Sequence, residues 1–337
     1  MAGDSVSSAL TDAEPASFWL QDTPARAPFE PADGPQQADL LVVGGGFTGL
    51  WAAIEAKRAD PERAVILVDA DRLAGGASGL NGGFIAESLT HGLAHGVAMW
   101  PDQMPDLLRQ GRQNLDEIAA LLDEHGIEAC LQRRGKSVVA LRPGQVDGLA
   151  RSCALHLTHG EQAELLDREQ AQADVRSPTY LGALRVRSGG GTVHPGRLAE
   201  GLIAIAARLG VRMHERTPVS SLRRSGAGLV ARTPAGDIRA RQAILATNAF
   251  PPLLRRLRAW IVPVVDHVLV TEPLGPSQRA SIGWREEQGL TDPGNRFHYY
   301  RLTPDGRILF GGYDAAYHFR GVIRADDPAR MRSFRTL

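Results

Sequence analysis

Gly44, Gly46 and Gly49 stand at G-x-G-x-x-G spacing, a pattern whose chemistry is to hold phosphate, not to break bonds. Gly44 permits a tight turn, Gly46 has no Cβ to keep a pyrophosphate off the backbone, and Gly49 lets a helix lie close on a strand. The amides of Phe47, Thr48 and Gly49 then face the phosphates at the positive end of a helix dipole. A carboxylate follows at Asp69, about 20 residues on, where an acceptor for a ribose hydroxyl is expected. Beyond it a second glycine-rich stretch runs from Gly75 to Gly83. Its small residues cannot build a core, but they let the backbone pass close to something bulky, with Ser78 and Asn81 supplying polar atoms.

Such chemistry needs a strand, a turn and a helix in succession. Leu40 to Val43 form an unbroken apolar run that ends in glycine, as a parallel strand buried on both faces would. Leu50 to Lys57 continue as an amphipathic helix, and Ala64 to Val68 give the next apolar run, ending at Asp69. The stretch from Ala38 to about Ala70 thus reads as a dinucleotide-binding unit, the alternative being a purely structural βαβ turn.

Other reactive residue types make weaker patterns. On a strand from Phe297 to Leu302, alternation sends Tyr299 and Arg301 to one face and Tyr300 to the other. Arg301 is a candidate to clamp a substrate carboxylate with two parallel hydrogen bonds and Tyr299 to orient an amine, with His298 as a candidate proton acceptor. A surface strand with one core aromatic is the competing reading. His91 and His95 are four apart but have no third ligand at suitable spacing, and glycines at 92 and 96 weaken the helix they would need, so no metal site is expected. No Ser-His-Asp or Cys-His arrangement stands out. Arg133, Arg134 and Lys136, and the run Arg255, Arg256, Arg258, read as solvated surface.

Composition narrows the class. Lys plus Arg equals Asp plus Glu at 38 each, which argues against a nucleic-acid partner. With 337 residues, 43% hydrophobic and 23% charged, the chain is long enough for two domains. Cys130 and Cys153 form no C-x-x-C pair, which fits a reducing, cytoplasmic setting. No segment is apolar enough to span a bilayer, and the acidic start lacks the form of a signal peptide.

Residues 1–37 read as an extended arm anchored by Phe18, Trp19 and Leu20. Leu107 to His125 follow helical periodicity, Cys130 to Leu141 read as a strand pair, Gln145 to Glu164 and Asp167 to Ala173 as helices, and Tyr180 to Arg187 as a strand. A helix from Leu198 to Leu209 is capped by Gly210. Val211–His214, Val219–Leu222, Gly228–Thr233 and Ile238–Ala240 alternate like antiparallel strands, and Ala243–Ala246 is a separate buried strand leading to Thr247 and Asn248. Strands follow at 261–265, 267–271, 297–302 and 307–312, with a hairpin at Thr303-Pro304-Asp305-Gly306.

The segments VVGGGFTGLWAA, VDADRLAGGASGLNGG, VHPGRL, ILATNAF and YYRLTPDGRILFGGYD together resemble the FAD-dependent amine and amino-acid oxidoreductases related to D-amino-acid oxidase, glycine oxidase and sarcosine oxidase. The branch most resembled is the γ-glutamylputrescine oxidoreductase type. The match in order and spacing runs from about Ser17 to Asp314. It implies an α/β fold, α+β overall, with a discontinuous Rossmann-like FAD/NAD(P)-binding domain and a second, β-sheet-rich substrate domain. The corresponding division is an arm at 1–37, FAD-binding parts at 38–90 and 189–256, and substrate parts at 91–188 and 257–337.

By that resemblance Gly44, Gly46 and Gly49, with Phe47 and Thr48, would wrap the FAD pyrophosphate, and Asp69 with Ala70 would bind the adenosine ribose. Ala77, Ser78, Asn81, Gly82 and Gly83 would line the phosphate and flavin ring, Val219 would lie near the adenine, and Thr247 and Asn248 would follow the strand beneath the cofactor. The implied reaction is oxidation of the C–N bond of an amine or amino acid by hydride transfer to flavin N5, with hydrolysis of the resulting imine and electrons passing to an acceptor such as oxygen. Two departures stand out. Leu80 occupies a place where that branch usually has arginine, and residues 321–337 do not match the family's last glycine-rich segment, so the chain is expected to be truncated at its C-terminal end. A nicotinamide-dependent dehydrogenase and an inactive flavin-binding remnant are the alternatives.

Overall fold

The computed structural model describes residues 10–294, 296–317 and 332–334. Two large sheets carry the chain. The first has the order β8-β2-β1-β11-β10-β9, built from β1 (Gln36–Val43), β2 (Val65–Val68), β8 (Arg212–His214), β9 (Ser221–Ser225), β10 (Gly228–Thr233) and β11 (Gly236–Leu245). Its first four strands are mutually parallel, and β10 and β9 are added antiparallel at one side.

Parallel pairing explains why β1 and β2 lack hydrophobic alternation, since each strand must be apolar on both faces. On one face Val42 and Leu67 pack under α2 (Phe47–Ala59) and α8 (Pro195–Arg208) through Leu50, Ile54, Leu202 and Ile205. On the other, Leu41, Val43, Ile66 and Val68 meet Ala231, Ile238 and Ala240. Leu50, Ile54, Leu202 and Ile205 are fully buried, each worth roughly 1.5–3 kcal/mol over exposure. These side chains hold the glycine turn between β1 and α2 in place.

The second sheet has the order β12-β15-β14-β13-β4-β6-β5, formed by β4 (Lys136–Ala140), β5 (Ala163–Leu166), β6 (Gly182–Val186), β12 (Val264–Val270), β13 (Gly289–Thr291), β14 (His298–Leu302) and β15 (Ile308–Tyr317). The long helix α6 (Pro143–Thr158) covers it through Leu149 and Cys153 against Ala140, Leu184 and Val186. A small two-stranded sheet, β3 (Phe84–Ile85) with β7 (Gly191–Thr192), joins the two regions. The helix at 104–124, α5 (Met104–Glu124), follows the periodicity of its leucines, of which Leu108, Leu115, Leu121 and Leu122 are buried.

Several expectations are corrected. Cys130 to Leu141 do not form a strand pair: Cys130 adopts a left-handed φ of 50°, Gln132 bridges Thr192, and only β4 is a strand. The helix expected to run to Glu164 ends at Thr158, because Gly160 turns the chain at φ 73° into β5. The strand expected at Val211–His214 is β8 (Arg212–His214), a parallel edge strand, and Ile238–Ala240 and Ala243–Leu245 are one strand, β11, which lies parallel to β1 along Gln36–Val43. Likewise 261–265 and 267–271 are replaced by the single strand β12, kinked between Val265 and His267. The hairpin at Thr303–Gly306 forms, with Gly306 at φ 84° and Leu302 paired to Ile308. Residues 318–331 and 335–337, most of the segment read as departing from the family, lie outside the described residues. No helix among the described residues is long and apolar enough to cross a membrane.

Candidate cofactor and substrate site

Gly44 takes φ 107° between β1 and α2, a conformation that strains any residue with a Cβ. A Cβ on Gly49 would run into the carbonyl of Gly44, and one on Gly46 would meet Ser78 Oγ at 2.8 Å. The N-cap of α2 is Gly46, with no capping side chain and no acid in the first turn. First-turn amides have no acceptor within their own helix; here Phe47 N–H donates to Ser78 Oγ at 2.9 Å. A helix of 13 residues whose glycine-lined start has no capping side chain of its own and meets a second glycine segment is a cradle that fits a pyrophosphate.

Asp69 leaves β2 and braces this turn. Its Oδ2 accepts from Gly45 N–H at 2.7 Å and its Oδ1 from Asp71 N–H at 2.9 Å. Sequence reasoning missed Gly45, whose Cβ would clash with Leu73; three consecutive glycines were the signal. Ala70 is exposed beside Asp69, Thr48 is exposed on α2, and Thr247 and Asn248 follow β11 beside Gly44, Asn248 at φ 47°. Val219 packs half-buried against the outer face of the first sheet.

Ala77 and Ser78 lie in α3 (Ala77–Leu80), the short turn of helix within the second glycine segment. Asn81 holds that segment's shape: its side chain donates to Ala77 O and Ser78 O and accepts from Gly83 N–H, while its own carbonyl accepts from the Trp19 indole at 2.8 Å. Trp19, in α1 (Phe18–Gln21), is the buried member of the expected Phe18-Trp19-Leu20 anchor. The arm is also tied down at His194. Its Nδ1 accepts from Arg197 N–H, its Nε2 faces Asp22 Oδ2 at 3.1 Å, and burial pulls its pKa down.

The bulky neighbour of the second glycine segment is β14. A Cβ on Gly82 would lie 2.6 Å from the Tyr299 ring, and one on Gly83 would lie 2.6 Å from Arg301 Nη1. The expected alternation holds. Tyr299 and Arg301 face the glycines, whereas Tyr300 turns to the other side, where its hydroxyl meets that of Tyr180 at 2.7 Å and its ring packs on Trp284.

Arg301 is not presented to an open cleft as a carboxylate clamp. It is only 2% exposed, and its Nη1 donates to Gly83 O and Val193 O at 2.7 Å each. Desolvation pulls its pKa down to about 10, and its guanidinium lies over the Trp19 ring. Tyr299 crosses Gly311 to donate its hydroxyl to Asp266 Oδ2 at 2.6 Å. Burial and that acid push the Tyr299 pKa up. Asp266 escaped the sequence reading; its signal was an acid interrupting the apolar run of β12. His298 is half-exposed, bonded through Nδ1 to Asp292 Oδ2 at 3.0 Å and stacked on Phe310.

His95 Nδ1 lies 2.7 Å from Thr90 O, and His91 has a left-handed backbone; among the described residues no group of three side chains is set to hold a metal. Arg133 pairs with Asp116, and Arg134 reaches the carbonyl of Glu286.

The chain is similar to known proteins along most of its length. The family model described as FAD dependent oxidoreductase matches residues 39–336. Gamma-glutamylputrescine oxidoreductase of Escherichia coli is 30% identical over 309 residues, covering 88% of this chain and 69% of that protein. The probable oxidoreductase OrdL of Rhizobium meliloti is 28% identical over 326 residues, covering 89% and 70%. Glycine oxidase from Geobacillus kaustophilus superposes with a TM-score of 0.71 at 20% identity, covering 89% of this chain and 76% of that one. L-proline dehydrogenase from P. horikoshii gives 0.66 at 17% identity, covering 89% and 75%.

Proposed function

Since the chain belongs to the FAD dependent oxidoreductase family, we propose that it oxidises the C–N bond of an amine or amino acid, releasing an aldehyde or oxo acid after the imine is hydrolysed. The family match also removes the nicotinamide alternative. When bound, FAD supplies the hydride acceptor; the residues supply position. The start of α2, with Gly44, Gly46, Phe47, Thr48 and Gly49, holds the pyrophosphate. Asp69 and Ala70 serve the ribose, Val219 the adenine side, and Ala77, Ser78, Asn81, Gly82, Gly83, Thr247 and Asn248 the remainder. Tyr299 and the half-exposed His298 border the substrate, and Arg301 acts at one remove, by locking Gly83 to Val193.

The observation that carries this reading is the meeting of Gly82 and Gly83 with Tyr299 and Arg301, which sets a substrate-facing sheet on the segment that follows the nucleotide cradle. Residues 38–90 and 189–256 make the cofactor domain, 91–188 and 257–337 the substrate domain, and 1–37 the arm; the origin of each sheet's strands supports that division. The two free cysteines support a reducing, cytoplasmic setting, and oxygen is the proposed electron acceptor.

A visible absorption spectrum of the purified protein, repeated during anaerobic addition of amines and amino acids, tests the reading. Flavin bands that bleach with one of them are expected. A flavin-loaded protein that no amine or amino acid reduces would overturn it.

A further inference from the structure

Against the side of β14 that faces the second glycine segment stands an acid of β12 with spare hydrogen-bonding capacity, while the arginine of β14 is consumed. Asp266 Oδ1 accepts from His267 N–H at 2.8 Å and Oδ2 from the Tyr299 hydroxyl at 2.6 Å. A carboxylate offers about four acceptor positions, so two remain. The residue is exposed. The ring that reaches it is Tyr299, which is itself packed by Phe84, edge-on at 5.7 Å between centroids, and by Phe297 at 6.2 Å. Aromatic faces next to a carboxylate attract an ammonium group. The only arginine of β14 among the described residues, Arg301, has turned its Nη1 onto backbone carbonyls.

We propose that Asp266, held by Tyr299, binds an ammonium group of the substrate, and that the preferred substrate therefore carries a second cationic centre away from the C–N bond that is oxidised. The ammonium at Asp266 cannot be the reacting nitrogen. Hydride leaves the carbon of a neutral amine, and an adjacent carboxylate favours the protonated form. The substrate class is therefore a diamine or a longer amine with a distal ammonium, in preference to an amino acid whose recognition rests on its carboxylate. This inference rests on the oxidoreductase reading given above.

The experiment compares α,ω-diaminoalkanes of three to six carbons with n-alkylamines and amino acids of the same lengths, on the flavin-loaded wild type and on Asp266→Asn, Asp266→Glu and Tyr299→Phe. Anaerobic stopped-flow reduction gives the apparent Kd and the limiting reduction rate; calorimetric titration with the diamines gives binding without turnover. One diamine is expected to bind at least 10-fold tighter than its monoamine in the wild type. Asp266→Asn should abolish that advantage by weakening the diamine and not the monoamine, and Asp266→Glu should restore part of it. An unchanged flavin spectrum and melting temperature show the variants folded. Equal binding of diamine and monoamine, equal weakening of both by Asp266→Asn, or reduction by amino acids in preference to diamines would overturn this proposal and leave the oxidoreductase reading standing. Failure of every amine and amino acid to reduce the flavin would overturn both.

Discussion

Replacing Arg301 by methionine separates two roles for this side chain, because methionine keeps most of the volume and removes the donors. Arg301 makes two long-range hydrogen bonds from a charged donor, to Gly83 O and Val193 O, beside a local one from Nε to Leu302 O. Such bonds are worth ~1.5–3 kcal/mol each net of desolvation, so the pair is bounded at ~3–6 kcal/mol. The pull of its pKa to about 10 marks a site where burying the charge is costly, which favours the lower end. Gly83 O also keeps a second donor, Val193 N–H at 2.8 Å, so the loss falls mainly on Val193 O. A destabilisation of ~3 kcal/mol follows, or ~5–10 °C in melting temperature by the usual scaling. Since Gly83 ends the second glycine segment, flavin should also be held more weakly. Differential scanning fluorimetry and flavin content after desalting read both effects. An unmoved melting temperature and full flavin, together with a KM raised more than 10-fold for carboxylate-bearing substrates alone, would refute the reasoning and return Arg301 to the role of a clamp.

Gly46→Val should leave the fold intact but abolish flavin retention, because a branched side chain here meets Ser78 Oγ and blocks the start of α2; flavin content of the folded variant is the check. His194 is buried with its pKa depressed, so the unfolded chain binds more protons below the ordinary value of about 6.5, and stability should fall as pH drops below it. In His194→Asn, which keeps an N-cap acceptor for Arg197 N–H, urea unfolding at pH 5 and pH 7 should show a smaller difference than in the wild type.

The cofactor half of the site was legible because its determinants are local. Spacing of three glycines, an apolar run before them and an acid after the next run lie within 32 residues from Ala38 to Asp69, and each reports a backbone constraint that only certain residues meet. Direction was not legible. Arg212–His214 alternates between exposed and buried as an antiparallel strand would, yet it pairs parallel with β2; alternation reports only that one face of a strand is wet, which an edge strand of either polarity satisfies. The helix stop was present in the sequence at Gly160, and the residues beyond it belong to β5.

The substrate half was read by residue type, and there a strand pattern gives the face of a side chain but not what it meets. Tyr299 and Arg301 share the face that alternation assigns them, and their fates differ because of residues distant in sequence. Gly311 leaves room for the Tyr299 ring to cross β15 and reach Asp266, 33 residues away, whereas Gly83 and Val193 offer carbonyls to Arg301 from 218 and 108 residues away. A buried guanidinium needs acceptors wherever it finds them; with backbone carbonyls in reach it becomes part of the frame. The outward-facing charge that meets Tyr299 is then the acid of β12, which is why the site we propose takes an ammonium group in place of the carboxylate that an arginine in the motif suggests.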